Sequence, residues 1–250
     1  MLDVRSLTAG YRKNTVLREL SVSFAAGKLT SVIGPNGCGK STLLKAVLGL
    51  IPRAAGEIDL NGEALTSLGR GEIAKRIAYL AQGQPIPDMT VQQMVLHGRF
   101  PYLEYPHGYT DRDRAHARAA MERVGIPHLA DSPMAALSGG MRQTAYVAMA
   151  LAQDTAYLLL DEPTTYLDVA HQVALMKLLR SITTEGRGVV AVMHDLPLAL
   201  TYSDCIVLMD AGRVVAVGTP DEVARSGEIE AVLGVSVDRA EGEYFCRLGM

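Results

Sequence analysis

The sequence predicts an α/β protein in which helices cover a parallel β-sheet and an all-helical segment is inserted into the chain. Apolar runs of strand length recur along the sequence and alternate with segments of helical spacing. Between residues 91 and 152 the strand-like runs stop, and three helical patterns follow one another (91–97, 111–124 and 141–152). Because strands separated by helices usually pair in parallel, we expect one parallel sheet with strands at 28–33, 77–80, 157–160, 189–193 and 205–209.

The remaining elements follow from local patterns. Residues 2–24 alternate in the manner of half-buried strands, which predicts β-strands in this segment. Asn61-Gly62 follows a strand-like run, and this dipeptide is a strong signal for a tight hairpin turn. Residues 210–213 (Asp-Ala-Gly-Arg) predict a second hairpin with a return strand at 214–217. Helical spacing at 41–48 and 168–182 predicts two helices that cover the sheet.

Composition fits one large domain without disulfides or a zinc site. The chain has 250 residues, of which 48% are hydrophobic, so it can bury a sizeable core. Its net charge of −3 at pH 7 argues against nucleic acid as a partner. The three cysteines are far apart, which fits a reducing compartment. The acidic start does not match a signal peptide, and no apolar run approaches the roughly 18 residues of a membrane helix. We therefore expect a soluble, cytoplasmic chain.

A glycine-rich loop lies between the predicted strand 28–33 and the predicted helix 41–48. Residues 34–41 (Gly-Pro-Asn-Gly-Cys-Gly-Lys-Ser) match the phosphate-binding pattern G-x-x-x-x-G-K-[ST]. Backbone N–H groups of such a loop, and the positive end of its helix, face phosphate oxygens. We expect Lys40 to reach the β- and γ-phosphates of ATP, Ser41 to bind Mg²⁺, and Thr42 to lie near the α-phosphate. An ordinary glycine turn is disfavoured by the strand before it and the helix after it. The other loop residues assigned to ATP binding are Gly34, Asn36, Gly37, Cys38 and Gly39.

Cys38 within this loop has two interpretations. It can serve as a small residue that fits the turn, or its thiol can be a position where alkylation blocks nucleotide binding. The two roles are compatible, and the sequence leaves both open.

Two adjacent carboxylates end a strongly apolar strand. Residues 156–161 (Ala-Tyr-Leu-Leu-Leu-Asp) end in Asp161, and Glu162 follows directly. An Asp at such a strand end lies on the Mg²⁺ side of phosphate-loop NTPase sites. A carboxylate beside it can accept a proton from the attacking water, which makes Glu162 the candidate general base. Taken alone, the pair would be two solvated acids, but together with Lys40 it predicts ATP hydrolysis.

Further segments carry a resemblance to a known family. Residues 137–143 (Leu-Ser-Gly-Gly-Met-Arg-Gln) resemble the signature motif of ATP-binding cassette (ABC) ATPases. Gln82 resembles their Q-loop glutamine, and residues 166–168 (Tyr-Leu-Asp) resemble their D-loop. His194 resembles their switch histidine, and Tyr11 resembles the aromatic residue that stacks on adenine. The resemblance covers nearly the whole chain, and the order of the motifs makes it specific.

The resemblance implies a fold and a set of functional residues. The implied fold is a P-loop NTPase (RecA-like) core with an N-terminal antiparallel β subdomain and an inserted α-helical subdomain. The single domain 1–250 then comprises a nucleotide-binding core with the β subdomain (1–85 and 154–225), a helical subdomain with the signature motif (86–153) and a short tail (226–250). The implied catalytic residues are Glu162, His194, Lys40 and Gln82, and the implied Mg²⁺ ligands are Ser41, Gln82 and Asp161.

The signature motif implies a second copy of the chain as a partner. Ser138 and the N–H groups of Gly139 and Gly140 lie at the start of a predicted helix, whose positive end attracts an anion. In the family, two copies pair head to tail. Each ATP then lies between Lys40 of one copy and Ser138 of the other.

A segment rich in aromatic residues is a candidate docking surface. Phe100, Tyr102, Tyr105 and Tyr109 lie within ten residues, and they either pack within their own loop or anchor a partner. In the family, the surface after the Q-loop glutamine receives a transmembrane permease, so the resemblance implies docking near Gln84–Tyr105. It also implies a separate substrate-binding protein and a peripheral location on the cytoplasmic face of the membrane.

Two segments narrow the expected cargo. Residues 90–103 and 161–172 resemble the ATPases of ferric-siderophore importers and, less closely, those of haem and cobalamin importers. The sequence therefore predicts an ATPase that powers the import of iron chelates. One alternative is the ATPase of a haem, cobalamin or other metal-chelate importer. The others are an exporter ATPase, a soluble cassette protein that acts in translation or DNA maintenance, and a small-molecule kinase. The signature motif and His194 count against the kinase, and the acidic net charge counts against the soluble cassette protein.

Overall fold

The computed structural model describes residues 1–12, 14–103, 108–240 and 242–248. Glu104 and Tyr105, at the end of the expected docking segment, lie outside the described residues. The strands are β1 (Leu2–Tyr11), β2 (Asn14–Phe24), β3 (Leu29–Ile33), β4 (Arg53–Leu60), β5 (Glu63–Ala64), β6 (Ile77–Leu80), β7 (Tyr157–Asp161), β8 (Gly188–Val192), β9 (Cys205–Asp210), β10 (Arg213–Gly218), β11 (Val235–Ala240) and β12 (Glu243–Leu248).

The helices alternate with these strands in the core and follow one another in the middle of the chain. They are α1 (Lys40–Val47), α2 (Arg70–Ala74), α3 (Val91–Leu96), α4 (Asp111–Arg123), α5 (Gly139–Ala152), α6 (Val169–Thr183), α7 (Leu196–Tyr202), α8 (Pro220–Arg225) and α9 (Glu228–Leu233). Short 3-10 helices lie at Leu65–Ser67, His97–Tyr102, Pro127–Leu129 and Met134–Ala136. In the part of the chain that the structure describes, no helix is long and apolar enough to cross a membrane.

The central sheet confirms the predicted fold class. Its described strands lie in the order β10-β9-β3-β8-β7-β6, and all neighbours are parallel except the hairpin β9–β10. The strands β3, β7 and β8 are buried throughout, as expected for a sheet that is covered on both faces. Their carboxyl ends meet at one edge of the sheet, where α/β proteins usually bind ligands.

A second sheet is antiparallel and has the strand order β2-β1-β4-β5. Both predicted hairpins are present. Asn61 and Gly62 have φ values of 54° and 84° between β4 and β5, which is the left-handed pair that a two-residue type I′ turn requires. Ala211 and Gly212 have φ values of 45° and 80° between β9 and β10.

A buried ion pair holds the helical insertion together. The guanidinium Nε of Arg99 donates to Oδ1 of Asp113 over 3.0 Å, and both residues are 5% exposed. Arg99 also donates to the carbonyl of Ala152 at the end of α5 over 3.1 Å. Burial acts to raise the pKa of Asp113, but hydrogen bonds from Thr110 and Arg99 outweigh it and hold that pKa below its usual value. The pair therefore joins the segment before α4, the start of α4 and the end of α5.

Replacing Asp113 with Ala should destabilise the protein by about 3–5 kcal/mol, because it leaves a buried guanidinium without its counter-charge. Urea denaturation of wild type and variant measures the difference, and Asp111→Ala, an exposed change in the same first turn, is the control. The lowered pKa of Asp113 contributes stability above the unfolded-state pKa, and this contribution is lost as pH falls through the folded-state pKa. The difference in the free energy of unfolding between wild type and Asp113→Ala should therefore become smaller in acid. A difference that is small at neutral pH, or that does not change in acid, would contradict this account.

Candidate functional site

A cleft of about 450 Å³ lies at the carboxyl edge of the central sheet. Every residue that lines it is one that the sequence assigned to ATP, to Mg²⁺ or to catalysis. They are Asn36, Gly37, Gly39, Lys40, Ser41, Thr42, Gln82, Glu162 and His194. The fold thus collects into one cleft side chains that are separated by up to 158 positions in the sequence.

The glycine loop wraps around the ammonium group of Lys40. Nζ of Lys40 donates to the carbonyls of Gly34 and Pro35 over 2.7 and 2.8 Å. Gly34 has φ of 148°, and a Cβ there would lie 2.1 Å from the carbonyl oxygen of Met209. Only glycine lets the loop pass this close to β9. The loop is followed by α1, whose N-terminal N–H groups and dipole favour a bound phosphate.

Cys38 is a buried residue of the loop and does not line the cleft. Its N–H donates to the carbonyl of Pro35 over 3.3 Å, and its carbonyl accepts from the N–H of Gly212 over 2.9 Å. Burial raises the pKa of the Cys38 thiol, although the nearby Lys40 lowers it. A buried, protonated thiol is a weak nucleophile. The geometry favours the role of a small residue that fits the turn.

Asp161 lies deep beside the loop and is 1% exposed. Its Oδ1 accepts from Oγ of Ser41 over 2.8 Å, and its Oδ2 accepts from the hydroxyl of Tyr79 over 3.3 Å. Burial raises the pKa of Asp161, while these two hydrogen bonds act to lower it. Burial also raises the pKa of Tyr79, and the charge of Asp161 adds to that effect. Tyr79 therefore keeps its proton and donates a hydrogen bond to the carboxylate.

The side-chain oxygens of Ser41, Asp161 and Gln82 are suitable ligands for Mg²⁺. The Ser41 hydroxyl, the Asp161 carboxylate and the Gln82 amide oxygen are hard oxygen ligands of the kind that Mg²⁺ prefers. Among the residues described, no group of three or more His, Cys, Asp or Glu side chains could hold a metal ion by itself. Mg²⁺ at nucleotide sites needs no such group, since one or two carboxylates usually share it with the phosphates of the substrate.

Two predicted catalytic side chains, Gln82 and His194, contact the carboxylate of a third, Glu162. Nε2 of Gln82 donates to Oε2 of Glu162 over 2.6 Å, and Nε2 of His194 lies 2.5 Å from Oε1. Glu162 has φ of 53°, in the left-handed region that non-glycine residues seldom adopt. The Glu162 side chain is 14% exposed and lines the cleft. A carboxylate held in this way is well placed to accept a proton from a water molecule in the cleft.

The signature residues lie on a different surface from this cleft. Ser138 and Gly139 are exposed, Gly140 is half-buried, and none of the three lines the cleft. The Ser138 hydroxyl caps α5 by accepting from the N–H of Met141 over 3.3 Å. A Cβ on Gly139 would lie 3.4 Å from Cβ of Tyr166, a side chain that is 76% exposed. The signature motif therefore adjoins the D-loop segment and faces outward.

Tyr11 stands apart from the cleft, since it is 44% exposed at the end of β1 and does not line it.

Tyr79 is a site residue that no sequence motif indicates, although its hydroxyl donates a hydrogen bond to Asp161. The available signal was the place of Tyr79 on a strand three residues before Gln82, but the strand register was needed to bring it to Asp161.

Comparisons with known sequences bear on the identity of this site. The family profile described as "ABC transporter" matches residues 17–165. The ferric enterobactin transport ATP-binding protein FepC of Escherichia coli (strain K12) is 43% identical over 92% of this chain and 85% of the relative. The iron(3+)-hydroxamate import ATP-binding protein FhuC of Bacillus subtilis (strain 168) is 40% identical over 95% of this chain and 89% of the relative.

Comparisons with solved structures also find proteins described as ATP-binding cassettes or as parts of ABC transporters. The protein cbiO1 of Clostridium perfringens, part of the ABC transporter complex cbiONQ, has a TM-score of 0.80 and 28% identity. The alignment covers 92% of each chain. A dimeric cassette in a post-hydrolysis state, bound to ADP and Pi, has a TM-score of 0.77 and 26% identity over 88% of this chain and 99% of that chain.

Proposed function

Since the chain belongs to the ABC transporter family, we propose that it is the ATP-hydrolysing subunit of a membrane importer of iron chelates, with a ferric siderophore as the cargo. The chain is an ATPase whose activity is coupled to transport. The observation that carries the choice of cargo is the similarity, over almost the whole chain, to ATP-binding proteins named for ferric enterobactin transport and for iron(3+)-hydroxamate import.

The residues of the cleft have distinct roles in the proposed reaction. Lys40 and the backbone N–H groups of the glycine loop bind the phosphates and stabilise the charge that develops on them. Glu162 accepts the proton of the attacking water. Gln82 and His194 orient the Glu162 carboxylate, which they contact at 2.6 and 2.5 Å.

The proposed Mg²⁺ site lies where Ser41 of the cleft contacts the buried Asp161. Ser41, Asp161 and the amide oxygen of Gln82 would hold the ion together with the nucleotide. Bound Mg²⁺ supplies positive charge to the β- and γ-phosphate oxygens. The chain contributes the buried carboxylate of Asp161, which accepts hydrogen bonds from Ser41 and Tyr79.

The orientation of the signature motif supports a head-to-tail pair of copies. The helix α5 has 14 residues, and its first N–H groups have no partner within the helix, so its N-terminus attracts an anion. The residues at this end do not line the cleft of their own chain, and a second copy would bring its ATP there. Three large apolar side chains near this end are exposed and would be covered by the pairing: Met141 at 46%, Tyr166 at 76% and Val169 at 75%.

An apolar groove supports the docking of a permease. Its volume is about 330 Å³, and its walls come from the turn after α1, from α2, β6 and α5, and from the segment His97–Tyr102. Leu50 and Phe100 in its walls are 53% and 67% exposed, respectively. A transmembrane permease with an apolar cytoplasmic segment fits this groove, which overlaps the expected docking segment. The chain would then be a peripheral protein on the cytoplasmic face of the membrane, and a separate substrate-binding protein would deliver the cargo.

The experiment that tests this function is transport by the purified complex. The tagged chain is purified from native membranes with its permease, and the complex is placed in liposomes with ATP and Mg²⁺. We expect ATP-dependent uptake of a ferric siderophore and much weaker uptake of haemin or cobalamin. Preferred haemin or cobalamin uptake would favour the alternative cargo, and ATP-driven efflux would overturn the importer.

A further inference from the structure

Tyr79 occupies a position between the apolar groove and the buried carboxylate. It lies on β6, the edge strand of the central sheet, and pairs with Leu159 of β7 in parallel register. Alternate side chains of a strand share a face, so Asp161 is the next residue of β7 on the same face as Leu159. Such diagonal neighbours are about 7–8 Å apart, within reach of an aromatic side chain.

The two ends of the Tyr79 side chain have different surroundings. The hydroxyl donates to Oδ2 of Asp161 over 3.3 Å, on the opposite carboxylate oxygen from the one that Ser41 contacts. The residue also lines the apolar groove, together with Leu48, Leu50, Ile73, Phe100 and Pro101. One half-buried side chain thus forms part of the groove wall and donates a hydrogen bond to the buried carboxylate of Asp161 beside the cleft.

We propose that Tyr79 is a positioning residue that holds Asp161 in the orientation for Mg²⁺ and transmits the occupation of the apolar groove to that carboxylate. Its hydroxyl fixes one oxygen of Asp161 and so determines where the other oxygen points. A segment bound in the groove limits the motion of the Tyr79 ring. Because the Tyr79 hydroxyl is hydrogen-bonded to Asp161, this also limits the motion of the Asp161 carboxylate. The first half of the proposal concerns this chain alone, and the second half rests on the proposed docking of a permease.

Tyr157 offers a matched comparison within the same sheet. It lies on β7, is 1% exposed, and its hydroxyl donates to the carbonyl of Phe24 over 2.9 Å. Its hydrogen bond therefore contributes to packing, at a place remote from Asp161. Tyr157→Phe removes the same hydroxyl group as Tyr79→Phe without changing the surroundings of the carboxylate.

The first test measures metal binding by the purified chain, with Mn²⁺ as the probe and an ATP analogue that cannot be hydrolysed. The electron paramagnetic resonance signal of free Mn²⁺ reports the affinity. Loss of a hydrogen bond to a metal ligand typically weakens metal binding 10–100-fold. Since the bond from Tyr79 to Asp161 is long, at 3.3 Å, we expect Tyr79→Phe to lower the Mn²⁺ affinity about 10-fold. The affinity for the analogue without metal and the melting temperature should stay close to wild type. Equal Mn²⁺ affinity in wild type and Tyr79→Phe, or an equal loss in Tyr157→Phe, would overturn the role of Tyr79.

The second test uses the complex with the permease that co-purifies with the chain. In wild type, we expect the permease to raise the Mn²⁺ affinity, whereas in Tyr79→Phe it should co-purify equally well and leave that affinity unchanged. A permease that raises the affinity of both proteins by the same factor overturns the link to the groove. If no permease co-purifies with wild type, the proposed docking fails, and the measurement on the isolated chain still decides the role of the hydroxyl.

Discussion

Replacing Glu162 with Gln is expected to lower the turnover of ATP by about 10²–10⁴-fold, the usual contribution of a general base, while ATP still binds. The carboxamide has nearly the same shape as the carboxylate, so the packing around it should persist. It cannot accept a proton, and it would also change the contacts with Gln82 and His194, which lie 2.6 and 2.5 Å from the two Glu162 oxygens. Because bound ATP then survives, the variant should accumulate as an ATP-bound pair of copies.

Phosphate release measures the turnover, and equilibrium binding of a fluorescent ATP measures the affinity. Size-exclusion chromatography with ATP and Mg²⁺ detects the pair. Glu185→Gln is a suitable control, because Glu185 forms a surface ion pair with Arg123 away from the cleft. Hydrolysis by Glu162→Gln at a rate near that of wild type would remove Glu162 from the role of base.

Ser138→Arg should lower ATP turnover by about 10²–10³-fold, the range seen when a donor to a developing anion is removed, and should leave the ATP affinity of the single chain unchanged. Ser138 caps α5 and is exposed, and it does not line the cleft of its own chain. A long cationic side chain there would fill the space at the helix N-terminus that the ATP of the second copy needs. The loss should therefore appear only in the step that requires two copies.

Mixing two inactive variants provides a sharper test of this geometry. Lys40→Ala destroys the glycine-loop half of a site and Ser138→Arg destroys the signature half. In a head-to-tail pair of one copy of each, one of the two sites has both halves intact, so mixing should restore part of the activity. Ser181→Arg, on the exposed face of α6, is the control for an added surface charge. A Ser138→Arg chain that binds ATP much more weakly by itself would show that both halves act within one copy.

The central elements of this fold could be predicted because their signals are local. The strands β3, β7 and β8 are short apolar runs, and their neighbouring helices have clear caps, such as the Asp168 side chain that accepts from the N–H of His171 at the start of α6. Asn61-Gly62 predicts its hairpin because few other residues adopt two consecutive left-handed conformations. Motif residues such as Lys40 could likewise be named, because their chemistry requires that residue type at that spacing.

The contacts of Arg99 and Tyr79 could not be predicted in this way. In sequence, Arg99 stands out only as part of the segment 90–103 that resembles ferric-siderophore importers. The structure shows that it is 5% exposed and contacts Asp113 and the end of α5. Tyr79 looks like an ordinary strand residue, and only the register of β6 against β7 brings its hydroxyl to Asp161. A shift of one residue would turn Tyr79 to the other face of the sheet.

The sequence by itself determined the fold class, the ATPase chemistry and the residue types of the site, because each depends on local spacing or on a short motif. Only the tertiary structure decided which of these residues share a cleft. It brings Lys40, Glu162 and His194 together and leaves Ser138 on another surface. The physical reason is that contacts between distant residues depend on strand order, register and helix packing, which no single segment specifies.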